Sequence, residues 1–311
     1  MKLSVVTTLY QSALYLPEFH KRIVDAAADI SSDFEVIYVN DGSPDDSLAI
    51  SINIAQLDPR VVVVDLARNF GQHKAIMTGL KYARGELVFL IDSDLEEAPE
   101  LISDFSACMT RIECDVVFGV QKRRKGAAFE RMSGAAFYWF FKRVSGLDLP
   151  DNQVTARLMK RPYVRALIAH KDREIFLAGL WHITGFRQVP IVVHKASKGD
   201  TTYNFRRKLS ILVNSITSFS TKPLIAIFYI GATISALSAL YIVYLVGTWF
   251  LYSVPVTGYT SLIVSIWFLG GLTIFFLGVI GIYLSKIFAE TKDRPYTVIR
   301  AIYRGTVRES V

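Results

Sequence analysis

Two aspartates separated by one serine, Asp92 and Asp94, follow the apolar run from Leu87 to Ile91, and a third, Asp41, follows Phe34 to Asn40 in Asp41-Gly42-Ser43. Carboxylates at the Asp-x-Asp spacing suit a hard divalent cation bridging phosphate oxygens, because Mg²⁺ takes one or two carboxylates and leaves its other positions to substrate and water. The chain continues Leu95-Glu96-Glu97-Ala98-Pro99-Glu100. Acids there can also do no more than complement the positive end of a helix, which is the plainer reading of Glu97 and Glu100. Asp41 by itself reads as a turn former. It gains weight because it and Asp92 both end strand-like runs.

Those runs come in an order that would place the acids together. Leu3–Leu9, Phe34–Asn40, Val61–Leu66, Leu87–Ile91 and Val116–Gly119 are β-branched and short, and helical patterns lie near residues 16–30, 45–57, 72–84 and 98–113. The alternation predicts an α/β fold, a mostly parallel sheet with helices on both faces. Such sheets bind ligands beyond the carboxyl ends of their strands. Asp41-Gly42-Ser43, Arg68-Asn69-Phe70-Gly71 and Asp92-Ser93-Asp94 all follow strands. Residues 121–220 are less regular, with a basic loop Lys122-Arg123-Arg124-Lys125, a helical run near 128–145 and strand-like Val154–Met159 and Gln188–His194.

The charge distribution sets the environment. Residues 223–285 contain no Asp, Glu, Lys or Arg in 63 positions. A break at Ser253-Val254-Pro255-Val256-Thr257-Gly258 divides them into two apolar runs, each longer than the ~20 residues that span a bilayer. Residues 1–200 carry 25 basic and 25 acidic side chains, so the whole net charge of +7 flanks the apolar stretch. Arg206, Arg207, Lys208 and Lys222 precede it and Lys286, Lys292 and Arg294 follow, which places both flanks in the cytoplasm and the intervening loop outside. Residues 205–221 put Leu209, Leu212, Val213, Ile216 and Phe219 at helical spacing behind three basic residues. That pattern fits an interfacial helix on anionic lipid or a packed surface helix. The basic excess therefore argues for a membrane rather than nucleic acid. Cys108 and Cys114 have no His at zinc-site spacing and read as buried thiols. No Gly-x-x-x-x-Gly-Lys-Ser/Thr or Gly-x-Gly-x-x-Gly occurs, which disfavours a kinase or a dehydrogenase.

Taken together, Ser4–Tyr10, Val39–Ser43, Arg68–Gly71, Ile91–Glu97, Arg157–Met159, Thr217–Ser220 and Glu290–Pro295 resemble the family 2 glycosyltransferases of GT-A fold, in particular the polyisoprenyl-phosphate branch. That resemblance covers nearly the whole chain. It implies a transfer of sugar from a nucleotide-diphosphate donor to a polyprenyl phosphate, undecaprenyl phosphate above all, with inversion, at the inner membrane. It implies that Thr8, Tyr10, Asp41, Asn69 and Asp92 contact the donor nucleotide, and that Asp92, Asp94 and Glu96 hold Mg²⁺ or Mn²⁺ against its diphosphate. It further implies that Lys122, Arg123, Arg131 and Arg157 receive the lipid phosphate.

Departures from the family pattern are Gln11-Ser12-Ala13 in place of Asn-Glu-Glu, Glu96 in place of Gln, and Thr155 in place of an acid two residues before Arg157. The diphosphate loop is also altered, leaving Lys195 or Lys198 as a substitute charge. Asp94, Thr155 and Arg157 are the expected catalytic residues. Thr155 separates the enzyme reading from an inactive membrane scaffold, and a different lipid or glycan acceptor is the other alternative. A processive synthase is disfavoured because Gln-x-x-Arg-Trp is absent. The expected layout is a catalytic domain over 1–204, a juxtamembrane helix over 205–222, a two-helix hairpin over 223–289 and a tail over 290–311. Homo-oligomerisation is left open.

Overall fold

A computed structural model describes residues 2–121, 152–173, 175–194, 220–252 and 258–309. The basic loop with Lys122 and Arg123, Arg131 and the helical run 128–145, Lys195 and Lys198, and all but the end of the 205–222 helix lie outside the described residues.

The first half alternates as expected: β1 (Leu3–Leu9), α1 (Leu16–Ile30), β2 (Phe34–Asn40), α2 (Ser47–Leu57), β3 (Val61–Leu66), α3 (Gln72–Tyr82), β4 (Leu87–Leu90), α4 (Leu101–Ile112) and β5 (Val116–Val120). Then come β6 (Gln153–Lys160), α5 (Arg161–Ala169), α6 (Leu177–Ile183), β7 (Gln188–Val192), two long helices, α7 (Lys222–Tyr252) and α8 (Tyr259–Thr291), and finally β8 (Ile299–Arg304) and β9 (Val307–Glu309). The nine strands form one sheet in the order β7-β5-β6-β4-β1-β2-β3-β8-β9.

The middle four strands, β4-β1-β2-β3, are parallel, and β2 and β3 are buried along their whole length. Continuous apolar strands of this kind need helices on both faces. On one face Leu3, Val5, Val36, Tyr38, Val61, Val63 and Phe89 pack with Leu16, Phe19 and Ile23 of α1 and with Phe105 of α4. On the other, α3 lies so close that a Cβ at Gly79 would sit 2.6 Å from Val6 and 2.8 Å from Val39 side-chain carbons.

The sheet is mixed, which corrects the mostly parallel expectation. β6 runs antiparallel to both β4 and β5, and β8 antiparallel to β3. Parallel pairing needs a crossover helix between partners. The added strands instead come from segments outside the regular βα alternation. Within the segment expected as a tail, β8 and β9 extend the sheet beside β3.

Residues 294–309 therefore belong to the compact unit of the sheet, and residues 220–293 to a second unit holding α7 and α8. Within α8, Ser265–Thr291 is long and apolar enough to cross a membrane. Its side chains are largely exposed, including Ile266, Trp267, Phe268 and Leu277.

Candidate active site

The carboxyl ends of β1 to β4 lie along one edge of the sheet, bringing residues 8–13, 41–47, 68–72 and 92–97 together. β6 joins them because its antiparallel register sets Arg157 opposite Leu90 of β4, so the start of β6 reaches the end of β4. There Thr155 Oγ1 donates to Asp92 Oδ2 at 2.8 Å and Gln72 Nε2 donates to Asp92 Oδ1 at 2.8 Å. Gln72 opens α3 just after Gly71, whose φ of 97° makes the turn. The Asp92 carboxylate is thus oriented by two neutral donors. Thr155 is a hydrogen-bond donor to that carboxylate. Gln72 is a site residue that sequence reading missed, and its only signal was its place directly after Arg68–Gly71.

Asp94 is different. Its Oδ1 accepts the Glu96 N–H at 3.0 Å, while Oδ2 accepts no hydrogen bond from the described residues. Between them Leu95 holds φ at +60°. A bulky residue in the left-handed region is strained, and here the strained turn carries an acid with an unengaged oxygen. Glu97 points inward, is fully buried and accepts the N–H groups of Thr155 at 3.2 Å and Ala156 at 2.8 Å. It therefore locks β6 to the Asp-x-Asp turn, a role that a helix-dipole reading does not foresee. Glu100 forms a bidentate pair with Arg22 of α1.

Asp41 is buried as well, and its oxygens accept the N–H groups of Phe70 at 2.7 Å and Gly71 at 2.9 Å. Burial pushes its pKa up, opposed by those two amides and by Arg68. Gly42, at φ 59°, passes the same loop so closely that a Cβ would lie 2.4 Å from the Asn69 nitrogen. Asp41 and Gly42 thus shape the Arg68–Gly71 loop. Asn69 and Arg68 remain exposed on it, Tyr10 is exposed nearby, and Thr8 is half-buried with its carbonyl accepting from Ser93 Oγ at 3.0 Å.

Hydroxyls and one acid join the strand-end loops. Ser93 Oγ lies 2.9 Å from Ser12 Oγ, the Ser12 N–H donates to Ser47 Oγ, and the Gln11 N–H donates to Ser43 Oγ. Asp45 accepts from the Ser43 and Ser47 hydroxyls and from the Ala13 and Ser47 amides. Burial opposes its ionisation, but those four donors bring its pKa down to about 2. The altered Gln11-Ser12-Ala13 segment is thereby built into the site edge.

Arg157 is fully buried. Its guanidinium lies over the Trp181 ring and donates to the carbonyls of Thr155 and Val154, while Nη1 has no hydrogen-bond partner among the described residues. Burial pushes its pKa down to about 9, opposed by Tyr163 and Glu97. Arg157, expected to receive the lipid phosphate, is thus enclosed in this structure and meets main-chain carbonyls. Arg157 instead holds the start of β6, and with it Thr155.

Among the described residues no three Asp, Glu, His or Cys side chains converge to hold a metal ion. Of the expected ligands, Asp92 accepts from Thr155 and Gln72, and the Glu96 N–H donates to Asp94. A single open carboxylate, Asp94, still fits a Mg²⁺ or Mn²⁺ that draws its remaining ligands from a diphosphate and water.

An α/β sheet of this kind holds ligands beyond the carboxyl ends of its strands, and comparison narrows the class. Residues 4–168 match the family model of glycosyl transferase family 2. A putative glycosyltransferase of Mycobacterium tuberculosis is 50% identical over 99% of this chain and 91% of its own length. The bactoprenol glucosyl transferase of Shigella phage SfII is 30% identical over 98% of this chain and 99% of its own. This chain belongs to glycosyl transferase family 2. Among solved structures, Staphylococcus aureus TarS residues 1–349 with UDP-GlcNAc align over 70% of this chain and 66% of theirs, at 19% identity and a TM-score of 0.46.

Proposed function

We propose that this glycosyltransferase transfers a sugar from a nucleotide-diphosphate donor to a polyprenyl phosphate, with inversion, at the cytoplasmic face of the inner membrane. One observation carries the reading: the likeness to a bactoprenol glucosyl transferase runs through 98% of the chain, and so through the site edge and both long helices alike. On this reading α7 and α8 both span the bilayer, with their basic flanks retained on the cytoplasmic side.

The donor lies along the strand ends, its nucleoside against Thr8, Tyr10, Asn69 and the Asp41-shaped loop and its diphosphate towards Asp94. Mg²⁺ or Mn²⁺ at Asp94 would offset the charge of the departing diphosphate. The site offers no acid at 155 to remove a proton from an acceptor, and a phosphate acceptor needs none. With a second pKa near ~6 it is anionic at neutral pH, so its oxygen can attack directly. The protein's task is then to place that oxygen in line with the breaking bond. Lys122, Arg123 and Arg131 are the cations we assign to the lipid phosphate, and Lys195 and Lys198 those assigned to the diphosphate. Thr155 orients Asp92, and Arg157 orients Thr155.

Detergent-purified full-length protein incubated with undecaprenyl phosphate, Mg²⁺ or Mn²⁺ and a panel of nucleotide sugars should yield a glycosylated lipid, read by mass spectrometry. Turnover of a donor onto another acceptor, with no lipid product from any donor, would refute the assignment.

A further inference from the structure

The segment that follows the long helices returns to the edge where the donor is proposed to bind. The Ala67 N–H donates to the Val298 carbonyl at 2.9 Å, and Arg300 Nη2 donates to the Ala67 carbonyl at 2.6 Å. Thr297 Oγ1 lies 2.8 Å from Thr78 Oγ1 on α3. The β3–β8 pairing shifts register between Asp65 and Leu66, immediately before Ala67. Irregularities of this kind re-aim side chains near strand ends, and here the side chain is Arg300.

Arg300 also lies beside a buried charge. Asp65 is 1% exposed; its Oδ1 accepts from Asn40 Nδ2 at 2.8 Å, and its Oδ2 has no hydrogen-bond partner among the described residues. Arg300 Nη1 stands 3.6 Å from that second oxygen. A buried carboxylate without a compensating cation is costly, so Asp65 pins the guanidinium that reaches Ala67. The loop is then held at both ends: Asp41 takes the Phe70 and Gly71 amides, and Val298 with Arg300 takes both main-chain groups of Ala67.

We infer that Arg300 is a positioning residue for the donor: it fixes the start of the Arg68–Gly71 loop and so sets the affinity for the nucleoside diphosphate. The inference rests on reading that loop as part of the donor site, and it assigns residues after the last long helix a part in binding at the other end of the sequence.

The test uses the full chain in detergent, as wild type, Arg300→Ala, Arg300→Gln and Arg308→Ala, the last being on the same hairpin but set over the Tyr303 ring. Two quantities are read: hydrogen exchange of the 66–72 amides, and binding of UDP and of GDP with Mn²⁺ by calorimetry. Arg300→Ala should speed exchange in that peptide and weaken the nucleotide bound by wild type about tenfold, the scale of one lost charged hydrogen bond. Arg300→Gln, which keeps a donor without the charge, should fall between, and Arg308→Ala should match wild type in both. Wild-type exchange in both Arg300 variants, or faster exchange with unchanged affinity, would overturn the inference. Wild-type protein that binds neither nucleotide would instead overturn the loop as a UDP or GDP site and with it the affinity half of this inference, while exchange would still decide whether Arg300 holds the loop.

Discussion

The two sides of the site use the same residue type in opposite ways. On the β2–β3 side the carboxylates are tied inward: Asp41 accepts two loop amides, and Asp65 faces Asn40 and Arg300. On the β4–β6 side Glu97 is tied in the same manner, and Asp92 is oriented by Gln72 and Thr155, but Asp94 keeps an oxygen that no described residue engages. Position at a strand end therefore does not make an acid catalytic. What separates the two roles is whether neighbouring protein groups, main-chain or side-chain, already engage both carboxylate oxygens, since those oxygens then face the protein rather than a substrate.

Substitutions can break or sharpen this contrast. Asp94→Ala should have the largest effect on turnover, lowering kcat about a thousandfold or more while the unfolding temperature stays near that of wild type. An equal loss of stability would place Asp94 with the tied acids. Glu97→Ala should do the reverse, costing about 3 kcal/mol of stability because two buried amides lose their charged acceptor, as thermal unfolding would show. Asp41→Ala should cost about 2 kcal/mol for the same reason and raise the donor KM more than it lowers kcat, because it frees the loop rather than the reacting groups.

Smaller effects test the supports of the site. Thr155→Val removes one hydrogen bond to Asp92 and should retain at least about a tenth of the wild-type rate, a barrier change of at most ~1.4 kcal/mol. A loss equal to that of Asp94→Ala, with folding and donor binding intact, would show that the acceptor does depend on residue 155. Asp45→Asn should lower stability above about pH 4 and leave it close to that of wild type near pH 2. Against the opposing effect of burial, the hydrogen-bond donors of Asp45 bring its folded carboxyl down to about 2 from the usual 3.8, so its contribution is complete above about pH 4 and is lost as pH falls towards 2. Unfolding measured across that window should be flatter in the variant than in wild type.

Much of the architecture was legible because local rules govern it. The β-branched runs at 3–9, 34–40 and 61–66 coincide with β1, β2 and β3, since a strand buried on both faces must be apolar along its length. The acids at the strand ends were legible too, because in a parallel arrangement consecutive carboxyl ends share one edge. By contrast Glu97 looks in sequence like one more acid near a helix start, and only the antiparallel approach of β6 supplies the amides it accepts. Gln72 likewise depends on Asp92 arriving from 20 residues away.

By itself the sequence determined the α/β alternation, the uncharged stretch from 223 to 285 with its basic flanks, and the family, because these follow from periodicity, composition and local motifs. Tertiary structure alone decided which acids are spent on main chain, that Arg157 is enclosed, and that residues 299–309 complete the sheet. Burial and strand pairing join residues far apart in the chain: Ala67 meets Arg300 across 233 positions. No local pattern encodes such a contact, since it exists only once the two segments have packed against the same strand end.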